Sequence, residues 1–176
     1  MDKQTIITQL TKNHTSFIDY INGLTTEELM FSYQNKWTSI QQLQHIVLCV
    51  KPIERVFSMT TFDIEQNFGK TDKLSSTYEI LLSNYLEKQK EGAKAPERYV
   101  PEVVSHNQRE ILCETLIKSI QNLCSKIENF TEQDLDTFCI PHPSLGSLTM
   151  REMLYNVIYH VEHHQNQDKQ NLQHLI

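Results

Sequence analysis

Four glycines and five prolines are spread over 176 residues. Sandwiches and barrels of β-strands need many tight turns, and so few turn formers cannot supply them. Long runs with apolar residues at helical spacing point to helices instead. The length suits a single domain, taken as residues 1–176, with room for a sizeable core.

Five helical segments follow from the pattern. The first covers about 2–22, with Ile6, Ile7, Leu10, Phe17, Ile18 and Ile21 at helical spacing, and Gly23 stands at its end. A short turn over 25–29 follows, because Thr25 and Glu28 have capping-box spacing. Thr38 with Gln41 opens the second long helix, whose apolar face is Ile40, Leu43, Val47, Val50 and Val56. Pro52 inside this run predicts a kink. The third helix spans about 76–91, capped by Ser76 with Glu79 and closed by Gly92. Asn107 with Glu110 opens the fourth, which ends near 128. Residues 129–148, with Pro141, Pro143 and Gly146, read as a long connection, a length that is often functional. Thr149 with Glu152 caps the last helix, which runs to about 172. The sum is an all-α bundle with connections long enough for an overhead crossover.

Charge excludes some functions. Sixteen Lys and Arg stand against 22 Asp and Glu, a net charge of −6, and no basic cluster offers a phosphate backbone a surface. Nucleic acid is therefore not an expected partner. No segment reaches the roughly 18 apolar residues of a membrane span. The opening Met1-Asp2-Lys3-Gln4 is polar and begins an amphipathic pattern, unlike a signal peptide. Cys49, Cys113, Cys124 and Cys139 show no CxxC spacing and read as reduced thiols of a cytoplasmic protein.

Histidines carry the strongest functional signal. His160, His163 and His164 cluster in the last helix. His160 and His164 lie one turn and about 40° apart, the i, i+4 geometry with which two imidazoles chelate one metal. His160 with His163, about 60° apart, is a competing pair. Asn156 and Gln167 extend the same stripe, in a helix whose Leu154, Val157, Ile158 and Val161 are apolar. Buried polar groups must be satisfied, and a metal would satisfy two of them at once.

His45, midway along the second helix with apolar neighbours on both sides, is the third candidate. Taken alone it reads first as a hydrogen-bonded core residue. A three-histidine site leaves coordination positions open, as catalytic metal sites do. Cys49, one turn after His45, reads as a small core residue whose spacing also allows a fourth ligand. His14, His106, His142 and His174 have no partner spacing and read as surface residues.

Trp37-Thr38-Ser39-Ile40 followed by His45 resembles the second-helix motif of the DinB-like superfamily. Gly146 to Glu152 leading into His160-Val161-Glu162-His163-His164-Gln165-Asn166-Gln167 resembles its last-helix motif. The resemblance implies a four-helix bundle in up-down-down-up order, with a long crossover carrying the short third helix. It also implies one divalent metal ion, zinc or nickel, held by His45, His160 and His164. Similar proteins include thiol-dependent S-transferases, a maleylpyruvate isomerase and metal-dependent hydrolases.

The leading expectation is a metal-dependent enzyme of the S-transferase or hydrolase type. Its partners would be a small-molecule substrate and a low-molecular-weight thiol. Gln41 and Asn156 could orient the substrate, and Tyr159 packs in the bundle. The alternative is a non-catalytic, stress-associated metal-binding bundle, for which a homodimer through helix faces is the expected assembly. In its favour, no Asp or Glu follows the metal stripe, and Glu162 points to solvent. A helical interaction module without metal is the third reading.

Overall fold

Most helices begin where a threonine caps them. In the computed structural model, which describes residues 1–175, Thr25, Thr38, Thr131 and Thr149 each close a reciprocal capping box. In each, the threonine hydroxyl accepts from a backbone N–H of the first turn, and the acidic or amide side chain there accepts from the threonine N–H. Eight helices result: α1 (Lys3–Gly23), α2 (Thr26–Met30), α3 (Ser39–Phe57), α4 (Thr61–Phe68), α5 (Tyr78–Lys90), α6 (Arg109–Ile127), α7 (Glu132–Thr137) and α8 (Met150–Leu172). Two short strands, β1 (Cys139–His142) and β2 (Gly146–Thr149), pair antiparallel, with Cys139 opposite Thr149 and His142 opposite Gly146.

The four long helices close a ring. α1 packs against α6 and α8, and α3 packs against the same two. Each turns an apolar stripe inward, so Phe17, Ile21, Leu43, Ile46, Leu116, Leu123, Leu154 and Val161 form one buried core. Burying such a stripe, rather than helix propensity, is what stabilises helices of this length. The chain between α3 and α6 carries α4, α5 and two 3-10 turns, Glu97–Tyr99 and His106–Gln108. α5 lies on α8, and the first 3-10 turn lies on α3. These two elements wall the region where α3 and α8 meet.

Several expectations need correction. The third predicted helix is capped by Thr77, not Ser76: the Thr77 hydroxyl accepts from Ile80 N–H, and the Ser76 N–H instead meets Glu152 at 2.8 Å. Ahead of α6 the box is Ser105 with Gln108, not Asn107 with Glu110. The connection over 129–148 holds α7 and the hairpin, and α4 lies in a stretch expected to be loop. Pro52 lies within α3, which runs on past it to Phe57, as expected. Gly146 opens β2 at φ +78°, a backbone conformation that costs glycine nothing and other residues about 1–2 kcal/mol.

Candidate metal centre

α3 presents His45 to α8 because it lies between Gln42 and Ile46 on the stripe that faces the bundle, and His45 is buried. α8 presents His160 and His164 from successive turns, with His164 buried and His160 partly so. One ring nitrogen from each of the three lies within 4.8 Å of those of the other two. The Nε2 atoms of His45 and His160 are 3.3 Å apart, and those of His160 and His164 are 2.9 Å apart.

The opposite nitrogens fix the tautomers. His45 Nδ1 lies 2.7 Å from the Tyr99 carbonyl oxygen, which can only accept, so Nδ1 carries the proton. His164 Nδ1 likewise donates to Gln42 Oε1. Burial depresses the basicity of all three rings. The Tyr99 carbonyl partly opposes this for His45, and the neighbouring imidazoles add to it for His160 and His164, which fall well below the usual histidine range. Neutral rings protonated at Nδ1 leave lone pairs on the Nε2 atoms of His45 and His164. His160 Nε2, between them, has at most one proton to offer. Converging lone pairs at these spacings repel unless a cation sits among them. Zn–N bonds of about 2.0–2.1 Å set tetrahedral N···N spacings near 3.3 Å. The donor set therefore fits a divalent ion, and the pinned Nδ1–H groups are the outer-shell arrangement usual for metal-ligating histidines.

The description of the DinB superfamily matches residues 9–167. The chain belongs to the DinB superfamily. No curated protein matches it. Both motif segments fall within the matched span, and the fold of this DinB-superfamily chain is mostly helical, as that resemblance implies. Among the described residues, no helix is long and apolar enough to cross a membrane.

The remaining candidates separate around this cluster. His163 stands outside it, its ring 5.7 Å from Tyr85 and 5.4 Å from His164. Cys49 Sγ lies 3.6 Å from His45 Nε2 but is not part of the convergent set. Burial pushes its thiol up to about 12. Trp37 packs on the His45 ring at 4.8 Å, and Tyr159 packs edge-on to Tyr85. Glu162 is exposed, as expected.

Gln41 does not face the cluster. Its Oε1 accepts from Thr38 N–H and its Nε2 donates to the Glu102 carbonyl, so it is a helix cap. Gln42, one residue on, is the functional neighbour that sequence reasoning missed. Its signal was present, since it lies three residues before His45 on the inward face. The Tyr99 carbonyl had no signal, because a backbone oxygen leaves none.

The cluster opens onto a cavity of about 240 Å³ between α1, α3, α5, the hairpin and α8. Two histidines read as surface residues line it. His14 is buried, because it shares the inward stripe of α1 with Leu10, Phe17 and Ile18. His142 is half-buried, brought in by β1, and its Nδ1 accepts from the backbone N–H of Ser144 and Leu145. His106 and His174 are exposed, as expected.

Proposed function

We propose that His45, His160 and His164 hold one divalent cation, zinc or nickel, and that the protein is a metal-dependent enzyme acting on a small molecule. The reaction class is that of a thiol-dependent S-transferase or a hydrolase. The observation that carries this reading is the convergence of three Nε2 atoms whose rings are neutral and, in two cases, locked by Nδ1–H bonds. The resemblance further implies an up-down-down-up order, which we assign to the four long helices α1, α3, α6 and α8.

Bound there, a divalent cation supplies Lewis acidity that lowers the pKa of a thiol or water in its open position. The chain's own residues do the rest. Tyr99 and Gln42 hold two of the rings in orientation, so they need no reorganisation on binding. Trp37, Tyr85 and Met153 line the cavity and give it apolar wall area beside the three rings. Cys49 is outside the convergent set, so the chain itself would offer a cation three donors there.

The second reading, a non-catalytic metal-binding bundle, has one observation in its favour. Among the described residues, no carboxylate lines the cavity, so no Asp or Glu stands ready as general base. A thiol nucleophile activated by metal needs none. Cobalt substitution separates the two. With added 2-mercaptoethanol, thiolate-to-cobalt absorption is expected in both wild type and Cys49→Ala. Absorption present before thiol is added, and lost in Cys49→Ala, would mean a closed four-ligand site and the non-catalytic reading.

A further inference from the structure

The cavity has a second polar feature that the three-histidine cluster does not use. His14 Nδ1 donates to the Leu10 carbonyl at 2.8 Å within α1, so the other nitrogen, Nε2, presents a lone pair. That nitrogen is buried with no partner, in a residue only 2% exposed. On α8, Asn156 is 7% exposed, and its Nδ2 is a buried donor with no partner. Both residues line the same cavity as the three imidazoles. Elsewhere α1 and α8 satisfy each other: the neighbouring Asn13 donates to the Ile158 carbonyl at 3.1 Å.

His142 explains which way the Asn156 amide faces. With Nδ1 accepting from two backbone N–H groups, the His142 proton sits on Nε2. Asn156 lies against that ring and partly offsets the burial that pulls its pKa down to about 4. An N–H facing Asn156 calls for the amide oxygen, which leaves Nδ2 as the unmatched atom. The hairpin thus sets the donor, and α1 sets the acceptor.

We propose that His14 and Asn156 form a recognition subsite for one neutral group that both donates and accepts a hydrogen bond, a hydroxyl or a carboxamide, carried on an otherwise apolar small molecule. The lone pair of His14 takes the group's proton donor, and Asn156 Nδ2 donates to its oxygen. The apolar requirement comes from Ile46, Val50, Ile53, Met153 and Val157, which line the same space. Burial holds His14 at a pKa of about 4, so at neutral pH the ring offers no charge to an anion. A buried polar site rejects an analogue that cannot pair with it, because the site's own groups are then left unmatched. The subsite rests on the metal reading only for its role, which is to seat a substrate beside the reacting centre. Binding itself needs no reaction.

The test uses the full-length, metal-loaded protein and three probes of one shape: benzamide, benzyl alcohol and toluene. Titrations are followed by NMR, including the imidazole nitrogen resonances of His14. Benzamide or benzyl alcohol is expected to shift the His14 Nε2 resonance, and toluene is not. The tighter of the two binders identifies the group as carboxamide or hydroxyl. In His14→Phe and Asn156→Leu, the preference for that probe over toluene should fall at least about tenfold, with metal content unchanged. An Nε2 resonance that none of the probes moves, or an unaltered preference in both variants, overturns the subsite. If a variant fails to fold, the wild-type resonance still decides. A protein that purifies without metal yet shifts His14 with benzamide overturns the cation reading and keeps the subsite. A metal-replete protein with an unmoved His14 overturns the subsite alone.

Discussion

α8 buries polar side chains in its first turn, in its middle and near its end, where Asp168 accepts from Tyr20 and Ser39. Of the first two groups, only the first is closed. In its first turn, Arg151 meets Asp136 at 2.5 Å and Glu132 at 2.6 Å, and donates to the Met1 carbonyl at 2.8 Å. Beside it, Glu152 accepts from the N–H groups of Ser76 and Thr149, each at 2.8 Å. One turn later the same helix buries Asn156, His160 and His164, whose outward atoms face a cavity and one another. The helix pays for polarity in both places, but only the first set finds its partners within the chain. A complete network fixes the hairpin and α7 onto the bundle. An incomplete one is a site. Burial alone does not separate the two; the state of the last unpaired atom does.

Cutting the closed network gives the largest stability effect. Arg151→Met removes the guanidinium's ion pairs to Asp136 and Glu132, at a cost of about 3 kcal/mol, the upper end for hydrogen bonds to charged groups; the two half-exposed carboxylates keep Ser75 and Lys3 as partners. Urea unfolding of the metal-loaded protein measures this, and its metal content should stay at the wild-type level. A loss of metal in this variant would show that the two halves of α8 are not independent.

A smaller effect comes from the open half. His14 is held neutral by burial, with a pKa of about 4 against an ordinary 6.5. As pH falls, the unfolded chain takes up a proton first. Stability is therefore full above pH 6.5 and is lost progressively down to pH 4. The loss attributable to His14 is about 2 kcal/mol between pH 7 and 5. Urea unfolding at the two pH values should show a shallower pH dependence in His14→Phe by that amount. Equal slopes in wild type and variant would mean that His14 is protonated or exposed.

Much of the bundle could be read from the chain, for local reasons. The boxes at Thr25, Thr38 and Thr149 are i, i+3 patterns, and the inward stripes of α1, α3, α6 and α8 are periodic over many turns. α4 and α7 were missed because they are short and their first turns carry Asp63 and Asp134 where Glu or Gln marks the commoner box. The hairpin was missed because four residues per strand, one of them Pro141, show no alternation. At the candidate site, the i, i+4 spacing of His160 and His164 made them visible together. His14 had a different signal. It continues a core stripe with Leu10, Phe17, Ile18 and Ile21, a periodicity that the reading of His14 as a surface residue passed over because no second histidine pairs with it. Gln42 carried a signal in its place on the inward face three residues before His45, whereas the Tyr99 carbonyl became visible only once α3 and the 3-10 turn were brought together.

The most direct test of the metal centre is elemental analysis of the untagged protein and two variants. The account predicts one divalent ion per chain in wild type and in His163→Ala, and loss of most of it in His45→Ala, which leaves only two histidine ligands. Wild-type protein without metal, or retention in His45→Ala with loss in His163→Ala, would contradict it.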